Sequence, residues 1–286
     1  MRRFIFTMAL AVVCVVKSVC VLAQSVPLPN AFAHNDYSHK RPLHDALANG
    51  YTNVEADVFL MGKNLVVAHI NPFFKANRNL EKLYLQPLLE QIIDNDGQVY
   101  KNYDQPIILL IDIKTEANST YAKLKTLLEK YRPILTSYDN GQITLGAVTI
   151  VLSGHKPNKI LASETSRLAF IDTDLRQARR SKDTSNNVFT MASCKYSKLV
   201  KWNGMGLFPQ KEKERLQSYV DIAHTRGEKV RLWASPENQA VWGQLLSCGV
   251  DLINTNKLVA LKQFLTTNPS PKTDEKLAVD APDLDL

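Results

Sequence analysis

The feature that most constrains this chain is an alternation. Between residues 30 and 265, short runs rich in β-branched and other apolar residues take turns with longer segments whose apolar residues recur at helical spacing. A run such as residues 107–113 shows no polar face until its end, and a strand apolar on both sides must be covered on both sides. Such strands separated by helix-length segments make repeated βα units around a parallel sheet.

Strands are expected at residues 54–60, 65–68, 107–113, 148–152, 168–171, 188–191, 230–233 and 250–253, with a short Phe32-Ala33 run before His34. Helices are expected at residues 43–48, 83–93, 121–131, 211–224, 238–246 and 258–265. In the fourth of these, Leu216, Tyr219, Val220 and Ala223 share one face while Lys213, Glu214, Gln217 and Ser218 point away. Taking residues 65–68 as an excursion after the second strand leaves about eight strands, so the expected fold is an α/β TIM (β/α)8 barrel. No Gly-rich fingerprint opens a helix, which argues against a doubly wound dinucleotide-binding sheet. Residues 172–187 are polar and lack an apolar stripe, and read as a long loop.

The first 23 residues have the layout of a secretory signal peptide: Arg2-Arg3, an apolar block from Phe4 to Val16, then Val21-Leu22-Ala23. Lys17 leaves the block shorter than the ~20 apolar residues of a membrane-spanning helix. The expectation is cleavage after Ala23, a periplasmic or extracellular location, one barrel domain over residues 24–267 and a disordered tail over 268–286. Net charge is +7, and losing Arg2, Arg3 and Lys17 leaves +4. The basic residues are dispersed without aromatic interleaving, so nucleic acid is not an expected partner, nor is a protein implied. The balance suits anionic substrates or surfaces, peripheral membrane contact included. Cys194 and Cys248 remain after the leader, to be read as a disulfide or as two buried thiols.

Barrel enzymes place chemistry at the C-terminal ends of strands. His34 follows the first strand, Glu55 and Asp57 lie in the second, His69 ends the adjoining run, and Asp112 and Lys114 end the third. Residues two apart on a strand face the same way, so Glu55 and Asp57 both point inward if Val54, Ala56 and Val58 pack outward. One divalent cation, Mg²⁺ or Ca²⁺, relieves the repulsion among Glu55, Asp57 and Asp112 with the oxygen ligands it prefers. The other reading is ion pairing of these carboxylates with Lys or Arg inside the barrel mouth. Two histidines beside a phosphate divide the proton work, one taking and one giving a proton. His39, His44, His155 and His224 read as structural, with His39 and His155 the nearer exceptions because they follow strands.

His34-Asn35-Asp36-Tyr37, Val54-Glu55-Ala56-Asp57-Val58, Ala68-His69 and Ile111-Asp112-Ile113-Lys114 resemble the glycerophosphodiester phosphodiesterase and phospholipase-C-like superfamily. Arg231-Leu232-Trp233-Ala234-Ser235-Pro236 and the segment from Gly249 to Asn256 look like its seventh and eighth strands. Within it, the chain is similar to the branch that includes the fungal altered inheritance of mitochondria protein and bacterial exported relatives, with spider-venom sphingomyelinase D more distant. The resemblance implies a phosphodiesterase acting on a small-molecule or lipid phosphodiester, by way of a cyclic phosphate. It implies that His34 and His69 are the acid/base pair, that Glu55, Asp57 and Asp112 hold one metal ion, and that Lys114, Asn35, Trp233 and Arg231 meet the substrate. The superfamily's usual His-Arg-Gly opening is His34-Asn35-Asp36 here, Asn256 stands where an Asp often ends the eighth strand, and Asp172-Thr173-Asp174 replaces Asp-Gly-Arg.

Two other classes remain open on sequence. A barrel glycosidase would pair Glu237 with Asp112, leaving His34, His69 and Lys114 without a role. A binding barrel would hold a phosphate ligand without turning it over.

Overall fold

The computed structural model describes residues 25–70, 78–177 and 189–268. The expected leader lies outside the described residues, as does the expected tail beyond Asn268. Eight parallel strands form the centre: β1 (Leu28–Ala33), β2 (Tyr51–Met61), β3 (Ile107–Ile113), β4 (Val148–Gly154), β5 (Ala169–Asp174), β6 (Phe189–Lys195), β7 (Lys229–Trp233) and β8 (Leu252–Thr255). Each pairs with the next, and β8 returns to pair with β1 through Ala31↔Ile253 and Ala33↔Thr255. The sheet therefore closes, and the expected TIM barrel is the fold.

Helices α1 (His44–Ala48), α2 (Gln86–Asp94), α3 (Ala117–Glu129), α4 (Asn158–Ser163), α5 (Gln210–His224), α6 (Gln239–Ser247) and α7 (Leu258–Thr267) join the strands. On α5, Leu216, Val220 and Ala223 are buried and Tyr219 is half-buried, as its period requires. A strand at Asn64–Val67 runs antiparallel to the end of β2, with Val58↔Val67 and Met61↔Asn64. That hairpin is the expected excursion, and it returns His69 to the barrel mouth. Among the described residues, no helix is long and apolar enough to cross a membrane.

Strand alternation sorts the side chains into two cores. Val54, Ala56, Val58, Leu109, Ile111, Ile150 and Leu152 face outward into the large cluster beneath the helices. Phe32, Ile108, Leu110, Val151, Met191 and Leu252 form a separate cluster inside the barrel. Further along the same inward rows, the residues turn polar: Glu55, Asp57, Asp112, Ser153, Asp172, Ser193, Arg231 and Asn254. The barrel interior is thus apolar toward the N-terminal ends and charged toward the C-terminal ends.

Several boundaries differ from expectation. β5 continues to Asp174, and Leu175–Gln177 make a short 3-10 turn, so Asp172 to Asp174 are strand residues and not the start of a loop. The remainder of that expected loop lies outside the described residues. β2 begins three residues early, where Tyr51 and Thr52 are buried. A hairpin of Ser137–Asp139 and Gln142–Thr144, joined by Ser166–Arg167, was not foreseen, because strands of so few residues carry no readable period.

Candidate active site

The C-terminal ends of the strands surround a cavity of about 580 Å³, and His34, Asn35, Glu55, Asp57, His69, Asp112, Lys114, Arg231 and Trp233 all line it. Every residue expected at the site is therefore brought to one place.

The carboxylates meet through strand register. Asp57 on β2 is the direct partner of Asp112 on β3, and Glu55 lies one inward position below. Oxygens of the three lie within 4.8 Å of one another. Gly154, ending β4 at φ +69°, makes room for this: a Cβ there would fall 2.0 Å from Asp112 Oδ1 and 2.4 Å from the Ile113 carbonyl. Burial pushes the Asp57 carboxyl up, Lys114 pulls it back, and Glu55 and Asp112 push it up again, for a net rise. Asp112 Oδ1 is buried and without a hydrogen-bond partner among the described residues. A hard cation fits such a set of oxygens, since it lowers their mutual repulsion and supplies the missing partner.

The ion pairs weighed as the other reading are present too. Lys114 Nζ lies 3.1 Å from Asp57 Oδ2 and 2.5 Å from Asp112 Oδ2. Burial works against the Lys114 charge, but the hydrogen bond and charge of Asp112, with Asp57, hold its pKa above the usual lysine value. Arg231 is buried, with Nη1 3.5 Å from Glu55 Oε1 and 3.3 Å from Asn254 Oδ1, and its guanidinium lies 4.4 Å from the centre of the Phe32 ring. It holds Glu55 from below.

His34 Nε2 lies 3.6 Å from Glu55 Oε2, and its Nδ1 lies 3.1 Å from Asn256 Oδ1. Glu237 accepts hydrogen bonds from the Asn256 backbone N–H at 2.6 Å and from its side-chain amide at 3.0 Å. That fixes the Asn256 oxygen toward His34, an orientation that an Asp at this position could not hold by donating. His69 Nδ1 lies 3.5 Å from Asp57 Oδ2 and 3.0 Å from the Tyr37 hydroxyl. Asn35 adopts the left-handed conformation at φ 49°, which its residue type tolerates, and turns the chain from β1 across the mouth. Trp233 is 37 % exposed at the rim, with Lys195 Nζ 5.8 Å from its ring centroid.

Two groups at the site escaped sequence reading. The Tyr37 hydroxyl donates to Asp57 Oδ2 at 2.8 Å and also lies 2.5 Å from Asn35 Oδ1; it arrives on a 3-10 turn, so no strand period marked it. Asp172 is buried at the pocket floor, where Ser193 donates to its carboxylate. Burial raises its pKa to about 6 against the opposing pull of Arg231. Its position on an inward row is the available signal, hidden because the expected strand stops at Ile171, three residues before β5 ends.

His39, His44, His155 and His224 do not line the cavity, and neither does Glu237, so the Asp112–Glu237 arrangement of a glycosidase is not assembled. Cys194 and Cys248 are both buried and free, so the expected choice resolves to two thiols.

A closed (β/α)8 barrel with three carboxylates and two histidines at its mouth has the architecture of barrel phosphodiesterases. The profile of the AIM6-like phosphodiesterase domain matches residues 21–172. Altered inheritance of mitochondria protein 6 of Eremothecium gossypii is 30 % identical over 285 residues, covering 87 % of this chain and 72 % of the relative. The protein of that name from Kluyveromyces lactis is 28 % identical over 314 residues, covering 85 % and 74 %. A glycerophosphodiester phosphodiesterase from Parabacteroides distasonis superposes with a TM-score of 0.47 at 14 % identity, covering 83 % of this chain and 97 % of that one. The chain belongs to the AIM6-like phosphodiesterase family.

One expectation is corrected by these relatives. A periplasmic or extracellular location rested on residues 1–23 and on a likeness to exported bacterial proteins, whereas the curated relatives are fungal proteins named for the inheritance of mitochondria.

Proposed function

We propose that the chain is a metal-dependent phosphodiesterase in which His34 and His69 share the proton transfers and Glu55, Asp57 and Asp112 hold one divalent cation, Mg²⁺ or Ca²⁺. The observation that carries this reading is the meeting of all five side chains in one cavity. The cation, when bound, supplies charge neutralisation at the nonbridging phosphate oxygens.

The chain's own groups do the rest. Glu237 orients the Asn256 oxygen toward His34 Nδ1, and in the tautomer in which Nδ1 donates to that oxygen, Nε2 takes the proton of an attacking substrate hydroxyl next to the phosphate. The new P–O bond forms as the P–O bond to the departing alcohol breaks, and His69 gives that alcohol its proton. The product is a cyclic phosphate, released or opened by water. Tyr37 holds the His69 ring, and Lys114 balances charge beside the phosphate.

His34→Ala or His69→Ala should lower turnover by roughly 10²-fold or more with the barrel intact. The assay is a panel of glycerophosphodiesters, lysophospholipids, sphingomyelin and phosphoinositides with Mg²⁺, Ca²⁺ or chelator, scored for cyclic products. Unchanged turnover in either variant would remove the histidines from the mechanism.

A second reading has its own support: Lys114 already pairs with both Asp57 and Asp112 and offsets one of their two charges. A barrel whose carboxylates stay paired with Lys114 would bind a phosphate ligand without a cation and without turnover. Chelator-insensitive ligand binding with no product after long incubation is the signature of that case.

A further inference from the structure

After β6 the chain leaves the barrel on the side of the cavity, and residues 199–209 form the connection that leads to α5. Met205 is 74 % exposed there and Leu207 95 %. Exposure of single apolar residues is ordinary; exposure on a loop that cannot fold them back is not.

This loop is held from several sides. The Trp202 indole donates to the Met205 carbonyl at 2.7 Å, and the Met205 N–H donates to Asn203 Oδ1 at 3.1 Å. The backbone N–H groups of Lys201 and Trp202 both donate to Glu212, and the Asn238 side chain, in the loop after β7, donates to the Asn203 carbonyl at 3.1 Å. Trp202 packs on Phe208 with ring centroids 5.0 Å apart. Gly204 and Gly206, at φ +100° and +66°, flank Met205 and permit the turn that turns it outward.

Within the segment itself the charge is of one sign, although Glu212 of α5 lies against its backbone. From Lys195 to Phe208 there is no Asp or Glu, while Lys195, Lys198 and Lys201 are exposed. Lys195 and Lys198 also line the cavity, which places the start of this segment at the mouth. Two apolar side chains are too little surface for a stable protein interface, which needs roughly 800 Å² per partner. A bilayer needs only apolar side chains to enter the acyl boundary, cations to meet anionic headgroups, and indoles at the level between them.

We propose that residues 195–208 form a docking face for an anionic phospholipid bilayer, with Met205 and Leu207 entering the membrane and the three lysines meeting its headgroups. The cavity mouth then opens toward the lipid surface. This docking does not depend on the catalytic reading: a barrel without turnover would dock equally.

The test uses the full chain and vesicles of phosphatidylcholine with brominated acyl chains, with and without phosphatidylserine. Bromine quenches only tryptophans near the acyl region, so Trp202 and Trp233 at the rim respond, whereas buried Trp242 does not. Quenching is expected with phosphatidylserine present, weakening as salt screens the lysines. Leu207→Asp, at a position with no packing role, should raise the lipid concentration for half-maximal quenching about tenfold or more, and Lys198→Glu with Lys201→Glu should do the same. Wild-type chain that stays unquenched, even if it pellets with vesicles by another segment, overturns the proposal. So does Leu207→Asp quenched as readily as wild type, or a wild-type dimer that Leu207→Asp dissolves without any quenching.

Discussion

Tyr37 joins groups that neither histidines nor carboxylates connect by themselves: its hydroxyl touches Asp57, His69 and Asn35 together. Tyr37→Phe keeps the ring and removes only those contacts. Turnover should fall roughly 10- to 100-fold, the range for groups that orient ligands and bases, with the thermal midpoint little changed. Asp36 gives a separate prediction about stability. Burial raises its pKa to about 6, opposed by the Leu43 N–H and the Tyr84 hydroxyl, and its Oδ1 lacks a partner among the described residues. The folded state therefore holds a proton that the unfolded chain releases near the ordinary carboxylate pKa. That contribution is complete below about pH 4 and is lost as pH rises through about 6. Asp36→Asn carries no such proton, so the melting temperature of wild type relative to the variant should fall between these pH values; parallel curves would show that Asp36 does not titrate there. His34, Glu55, Asp57, His69 and Asp112 were readable from sequence because each sits on or just after a recognisable apolar run. Tyr37 and Asp172 were not, since one arrives by a turn and the other sits beyond where the apolar run of β5 stops.

At the scale of elements, the site depends on how β2, β3 and β4 line up. Asp57 meets Asp112 because these strands are parallel and in register, and Asp112 turns into place because β4 ends in Gly154. Gly154→Ala would place a methyl 2.0 Å from Asp112 Oδ1 at a positive φ. Since the methyl would also lie 2.4 Å from the Ile113 carbonyl, the strand end must shift. Calorimetry should show divalent-ion affinity reduced about tenfold or more, with the barrel folded by circular dichroism. Unchanged affinity would separate Asp112 from the cation site. Outside the site, Leu109 on β3 is fully buried in the shell beneath the helices, and Leu109→Ala should cost about 2–5 kcal/mol by denaturant unfolding. The central apolar stretches of most strands and the helix faces were legible from period. The ends were less so, because the last residues of a barrel strand are polar where they line a mouth, and polarity there resembles a loop.

For the whole molecule, closure is the decisive event. β8 pairs with β1 across more than 200 residues of sequence, through Ala31↔Ile253 and Ala33↔Thr255, and that pairing sets Asn256 beside His34. A cation held at the mouth would link β2 and β3, so on the proposed reading saturating Mg²⁺ or Ca²⁺ should raise the melting temperature of wild type, by an amount that grows with the logarithm of ion concentration. Glu55→Gln with Asp57→Asn should abolish the rise. A rise that survives both changes would place the ion elsewhere.

By itself, the sequence determined the class of fold, through strands apolar on both faces alternating with amphipathic helices, and it marked the acidic and imidazole residues at strand ends. Those properties are local, written in residue type and spacing. Which polar groups meet is a matter of packing in three dimensions: the register that sets Asp57 against Asp112, the space that Gly154 leaves, the turn that carries Tyr37 in, and the loop that holds Leu207 out. Such choices depend on packing between segments distant in sequence, and no period within one segment records them.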